Sequence, residues 1–127
     1  MLIALAVISG TLLLAPMLQG ALDTGLGAND AVQLINREKA VVIDVCEASE
    51  FAAGHVVGAK NIPLADLQAK LPGAVKNKKL PLILVCASGA RSSRAVATAK
   101  TLGFEQAHSL SGGLAAWREA NLPVEKS

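Results

Sequence analysis

The chain has 127 residues, 12 Lys and Arg against 10 Asp and Glu, a net charge of +2 and a hydrophobic share of 52%. That length accommodates one domain. Basic residues are scattered and Phe51, Phe104 and Trp117 are the only aromatics, so there is no stacking surface for bases and nucleic acid is excluded as a partner. Two Cys and two His are too few for a disulfide-stapled scaffold or a structural zinc site, so no metal is expected.

Residues 1–22 stand apart. "LIALAVISGTLLLAPMLQGAL" carries no charge, and the first ionisable side chain after it is Asp23. No Lys or Arg precedes the run, Pro16 follows Ala15 directly, and Leu18 before Gly20 is a poor cleavage site, so the segment departs from a secretory signal. A helix over residues 2–22 is expected as an uncleaved single-pass membrane anchor across a core of roughly 30 Å. The alternatives are a cleaved signal and a buried helix of the domain. Arg37 and Lys39, the first basic residues beyond it, place the domain on the cytoplasmic side of an inner membrane, with the periplasm as the alternative. Residues 23–127 then form the domain.

From Gly27 onward, helix and strand patterns alternate. "AND" (28–30) reads as a helix start with Asn29 as its cap, followed by Ala31, Leu34 and Ile35 at helical spacing. "AVVIDV" (40–45) is the continuous apolar run of a strand covered on both faces. "EASEFAAG" (47–54) predicts a short helix closed by Gly54, "GAKNIP" (58–63) a short strand, "LADLQAKL" (64–71) a helix, and "PGAVKNKKLP" (72–81) a polar connection. A second buried strand, "LILVC" (82–86), leads through a loop into a helix with Ala95, Val96, Ala99 and Leu102 on one face, Ser92 or Ser93 as cap and Gly103 at its close. "AHSL" (107–110) is a further strand, and "GGLAAWREA" (112–120) a last helix before Pro123. Strands separated by helices imply parallel pairing and a three-layer α/β domain.

The chemistry concentrates at "CASGARS" (86–92). In an open parallel sheet, ligands bind beyond the carboxyl ends of strands, where Cys86 is expected. The amides of Ala87, Ser88, Gly89, Ala90, Arg91 and Ser92 carry little side-chain bulk and can converge on one anionic atom, with Gly89 free to take a backbone angle closed to other residues. The dipole of the following helix, together with Arg91 and Arg94, favours a thiolate, so Cys86 is expected to ionise more readily than a free thiol. Such a cradle serves either a phosphate or a sulfur atom. Cysteine phosphatases and arsenate reductases space the two residues C-x5-R; here Arg91 stands at C-x4-R and Ser92 occupies the longer position. The shorter ring suits one sulfur better than a tetrahedral oxyanion.

Three stretches together resemble one family. "CASGARS" is similar to the C-x-x-G-x-R loop of single-domain rhodaneses, "VVIDVCEASEFAAGHVVGAKNIPL" (41–64) to their D-V-R-E signature region, and "LSGGLAAWREANLPV" (110–124) to their L-x-G-G-x-x-A-W ending. The resemblance spans residues 27–125. It implies a five-stranded, mostly parallel sheet flanked by helices, and sulfur transfer through a persulfide on Cys86 without a cofactor. It also implies a small sulfur-donor anion such as thiosulfate, held by Arg91, and cyanide or a protein thiol as acceptor. A non-catalytic, membrane-tethered sulfur-carrier or binding module is the competing reading. Arg94 either steers anions or lies on a solvated helix face. Asp44 either orders the loop amides or is a satisfied buried carboxylate.

One departure stands out. Cys46 occupies the place of the arginine in "DVRE". It is either a resolving thiol for Cys86 or a semi-buried replacement. His55 and Trp117 read as packing residues, Glu47 and Glu50 as capping or pairing groups, and Gly112 and Gly113 as points of close backbone approach near the site.

Overall fold

Two apolar runs without polar alternation can form strands only where both faces are covered, and they form the centre of the sheet. The structure, a computed structural model, describes residues 25–126. In chain order the elements are α1 (Ala28–Glu38), β1 (Val41–Asp44), α2 (Ala48–Ala53), β2 (His55–Val56) and β3 (Lys60–Asn61). A 3-10 turn (Leu64–Asp66) leads into α3 (Leu67–Ala74), and then come β4 (Leu82–Val85), α4 (Ala90–Thr101), β5 (Ala107–Ser109), α5 (Gly113–Glu119) and β6 (Val124–Glu125).

The main sheet has the order β3-β1-β4-β5 and every pairing in it is parallel. Val41 to Asp44 pair in register with Leu82 to Val85. Period-two alternation then sorts the side chains. Ile43, Leu82, Leu84 and Cys86 enter one cluster with Leu67, Leu71, Ala95, Ala99 and Phe104 under α3 and α4. Val42, Ile83 and Val85 enter the other, with Ala31 of α1 and Trp117 of α5. The three-layer α/β fold is therefore as the pattern predicts.

The sheet differs from the five strands the resemblance implies. Among the described residues it has four, and the fifth place is a single parallel bridge from Leu26 to Leu110, with Leu26 N–H donating to Ser109 O at 2.8 Å and Ser111 N–H donating to Leu26 O at 2.7 Å. Gly25 lies so close to the Ser109 carbonyl that a Cβ there has no room, which keeps the bridge tight. β2 and β6 form a separate antiparallel ribbon, His55 opposite Glu125 and Val56 opposite Val124.

Helix starts also differ in detail. α1 begins at Ala28 with Gly27 in the capping position, so Asn29 lies in its first turn. α3 runs through Pro72 and Gly73 to Ala74, three residues past the expected end. Residues 2–22, read as a membrane anchor, lie outside the described residues, and among those described no helix is long and apolar enough to cross a membrane.

Candidate active site

β3 lies to one side of β1 and β4 to the other, so the chain changes direction across the sheet between β1 and β4. In parallel sheets the crevice beyond the carboxyl ends of such a strand pair is where ligands bind. Asp44 closes β1 and Val85 closes β4 at the same level, which delivers Cys86 to that crevice.

The loop then turns through Gly89, whose φ of 107° lies in the region that favours glycine and which caps α4. This geometry aims amides at sulfur. Gly89 N–H donates to Cys86 Sγ at 3.0 Å and Ser92 N–H does so at 3.3 Å. The Ser92 hydroxyl is 3.6 Å from Sγ and 3.1 Å from the Gly89 carbonyl oxygen. The Ser92 hydroxyl donates to that carbonyl and accepts from the Cys86 thiol; Ser93 donates to the same carbonyl at 2.9 Å, so the carbonyl keeps a partner when the Ser92 proton turns to a thiolate. Ser92 and Ser93, expected as caps, thus sit in the first turn of α4, and Gly89 holds the capping position.

Burial opposes ionisation of Cys86, which is only 1% exposed. The Ser92 hydroxyl and the amides of Ser92, Gly89 and Ser88 outweigh that penalty, and the thiol lies below its ordinary range.

The back of the loop is fixed by α5. Leu114 N–H donates to Cys86 O at 2.8 Å and Ala115 N–H to Ala87 O at 3.2 Å. The close packing exists because Gly113 has no Cβ: one built there would fall on the Cys86 carbonyl oxygen and within 2.8 Å of Ala87 C and O. Gly113 therefore provides the close approach expected of the "GG" pair.

Arg91 has a partner that the spacing of motifs does not reveal. Its guanidinium makes a two-pronged bond to Glu50 of α2, Nη1 to Oε1 at 2.7 Å and Nη2 to Oε2 at 3.0 Å. Glu50 Oε1 also accepts Glu47 N–H at 3.0 Å, so Glu50 both pairs and caps. The bond to Arg91 lowers the Glu50 carboxyl to about 2 and raises the guanidinium further still. Arg94 is exposed and has no carboxylate within ion-pair distance among the described residues.

Asp44 is buried, and its Oδ1 accepts Cys46 N–H at 2.8 Å, so it orders the turn after β1 rather than the Cys86 loop itself. Burial pushes its carboxyl up against those bonds. Asn61 of β3, which the motif reading passed over, ties down the same turn by donating to Asp44 O at 3.1 Å and Cys46 O at 2.9 Å. Cys46 is buried and, like Cys86, free. Burial, then the Asp44 charge and its hydrogen bond, push the Cys46 thiol up to about 12, with Arg91 pulling weakly the other way. At neutral pH Cys46 is a protonated hydrogen-bond donor and a poor nucleophile.

The remaining residues are structural. His55 is buried, stacks on Phe51 at 3.6 Å between ring centroids, and has Nδ1 2.7 Å from Phe51 O. Trp117 donates from Nε1 to Pro123 O at 2.8 Å.

The comparisons agree with this geometry. Residues 27–120 match the Rhodanese-like domain family. A thiosulfate sulfurtransferase, GlpE of Pseudomonas putida, is 37% identical over 95 residues, covering 75% of this chain and 84% of that protein. A rhodanese-related protein from Thermoplasma volcanium superposes with a TM-score of 0.71 at 28% identity, over 81% of this chain and 98% of that one. The human single-domain sulfurtransferase TSTD1 superposes with a TM-score of 0.68 at 27% identity, over 75% and 95%. A thiol cradled by amides at the switch point of a parallel sheet thus coincides with a family match over three quarters of the sequence, and the chain belongs to the rhodanese-like domain family.

Proposed function

We propose that the chain is a sulfurtransferase that moves a sulfane sulfur from a small anionic donor such as thiosulfate to a thiophilic acceptor through a persulfide on Cys86. The observation that carries this reading is the convergence of the Gly89 and Ser92 amides and the Ser92 hydroxyl on one sulfur atom at the start of α4. These donors favour the thiolate before transfer and the persulfide anion after it.

In the loading step the Cys86 thiolate attacks the outer sulfur of thiosulfate. The bond between the two donor sulfurs breaks, its electron pair leaves with sulfite, and Cys86 holds one extra sulfur. In the second step the acceptor attacks that sulfur and Sγ recovers the pair as a thiolate. Splitting one transfer into two displacements is the gain from a covalent intermediate. Arg91, on the first turn of α4, presents its charge to the sulfonate end of the donor, in competition with Glu50.

That competition favours a second reading, a non-catalytic sulfur carrier, because the expected donor cation is already neutralised. The experiment separates the two. The full chain is incubated with thiosulfate, weighed intact for one added sulfur, and then mixed with cyanide for thiocyanate assay. Catalysis requires the adduct, multiple turnovers, and loss of both in Cys86→Ser. A single stoichiometric adduct without turnover supports the carrier, and no adduct sinks both.

A further inference from the structure

Cations that are scattered along the sequence meet at the end of the sheet opposite the Cys86 loop. Val41, Leu82 and Ala107 stand in one row at the starts of β1, β4 and β5, so the connections before them share the amino end of the sheet. Short connections from α1 into β1 and from α4 into β5 put the last turns of both helices there as well. This end carries Arg37 and Lys39 at the close of α1, Lys76, Lys78 and Lys79 before β4, and Lys100 in the last turn of α4, all of them exposed. Glu38 and Glu105 are the carboxylates of the same turns and connections.

Six cations against two carboxylates give this end a net +4, and since the whole chain carries +2, the remainder carries −2. Among the described residues none of the six cations has a carboxylate within ion-pair distance. Their backbone is tied down. Val41 N–H donates to Pro81 O at 3.0 Å and Leu82 N–H to Gln106 O at 2.9 Å. Gln106 Nε2 donates to Lys79 O at 2.8 Å, and Lys78 rests beside Gly103 with its ammonium 5.8 Å from the centre of the Phe104 ring. Like charges fixed on one platform add their fields at one surface.

We propose that this amino end of the sheet is a docking surface for an anionic membrane, its lysines set against the phosphates of the lipid headgroups. Two observations select a membrane over other polyanions. Residues 1–22 of the same chain are apolar in composition and carry no charged side chain. Gly25 and Leu26, where the described chain begins, run parallel to β5 toward its carboxyl end, so the chain reaches the sheet from the lysine side. Phe104, under Lys78, is buried, so the cations have no exposed ring beside them on which a base could stack. Each lysine close to an anionic headgroup surface strengthens binding about fivefold, and salt screens the attraction. Cys86 lies at the opposite end of the strands, so docking leaves its crevice facing water, where donor and acceptor arrive.

The test uses the full chain with vesicles of phosphatidylcholine, alone or mixed with phosphatidylglycerol. Lysines are acetylated briefly with a water-soluble succinimidyl ester and mapped by peptide mass. Lys39, Lys76, Lys78, Lys79 and Lys100 are expected to be protected on the anionic vesicles alone, while Lys60 and Lys70, also exposed, react equally on both. Comparing two vesicles with one chain cancels what residues 1–22 contribute by apolar burial. Protection is expected to vanish at about 1 M salt, where the screening length is about 3 Å. Lys76→Gln/Lys78→Gln/Lys79→Gln removes three charges, about 100-fold in binding, and is expected to abolish protection of Lys39 and Lys100. The same three lysines changed to arginine are expected to preserve it. Equal acetylation on both vesicles overturns the proposal, as does protection without lipid, which would mark a contact between copies. Stronger protection by an RNA oligonucleotide than by anionic vesicles would assign the face to nucleic acid and overturn it too. Iodoacetamide labelling of Cys86 is expected to be equal on both vesicles, and slower labelling on the anionic ones would refute the orientation.

Discussion

Gly113→Ala measures how firmly α5 holds the Cys86 loop. Gly113 has φ 59°, where a Cβ costs about 1–2 kcal/mol of backbone strain. The added Cβ also meets the carbonyl groups of Cys86 and Ala87, which are backbone and cannot swing aside. Relief requires α5 to withdraw, breaking the bonds from Leu114 to Cys86 O and from Ala115 to Ala87 O, each worth about 1 kcal/mol net. The expected loss is about 3–4 kcal/mol, or about 15–25 °C in melting temperature for a domain of this size. Gly58→Ala is the control. Gly58 has φ 84° but nothing within 4 Å of its built Cβ, so it meets only the strain. Its expected loss is about 1–2 kcal/mol, or about 5–10 °C. Thermal unfolding by circular dichroism gives both values, and iodoacetamide labelling of Cys86 reports the cradle, whose loss moves the thiol back toward ordinary reactivity in Gly113→Ala alone. Equal melting losses in the two variants, or unchanged labelling in Gly113→Ala, would refute the argument that α5 fixes the loop.

The two thiols are expected to label at different pH: at about pH 7 iodoacetamide modifies Cys86, while Cys46 stays unmodified until the chain unfolds, as peptide mass mapping will show. Cys46→Ala is accordingly expected to load sulfur from thiosulfate as the parent chain does, and an adduct that persists only in the variant, with a Cys46–Cys86 disulfide in the parent, would restore the resolving role. Glu50→Gln removes the clamp on Arg91. The pair is partly exposed, so the cost is at most about 1 kcal/mol, read from urea midpoints. Because the folded carboxyl is lowered to about 2 from 4.5, this contribution is complete above the unfolded value and is lost as pH falls through the folded one. The gap between parent and variant is therefore constant near neutrality and closes between about pH 4.5 and 2. The freed Arg91 is expected to lower KM for thiosulfate.

The fold was legible where burial writes itself into composition. "VVID" and "LILV" admit only covered strands, and the Ala95 and Ala99 spacing of α4 admits only a helix pressed on a sheet. The β2–β6 ribbon was not, since two-residue strands have no periodicity and the paired residues His55 and Glu125 lie far apart in the chain. Capping failed for a related reason. Serines 92 and 93 are good caps in isolation, but the need to aim Ser92 N–H at Cys86 moves the helix start back to Gly89. Cys86, Gly89 and Arg91 were legible as a loop because they are neighbours in the chain. Arg91's partner, 41 residues away, was not.

The oddity at Cys46 acquires its meaning from that long-range pairing. An arginine at this position would put a second cation at the end of β1, beside Glu50 and Asp44, to compete with Arg91 for the same carboxylates. A protonated thiol there supplies no charge. Glu50 closes on Arg91 through both oxygens, and Asp44 accepts Cys46 N–H at Oδ1. The pair joins α2 to α4 through Arg91 and holds the Arg91 charge back from a donor anion. Restoring the charge at position 46 is expected to weaken that pairing. Cys46→Arg is expected to draw Glu50 away from Arg91 and so to lower KM for thiosulfate. An unchanged or higher KM for thiosulfate would show that Glu50 does not hold Arg91 back from the donor.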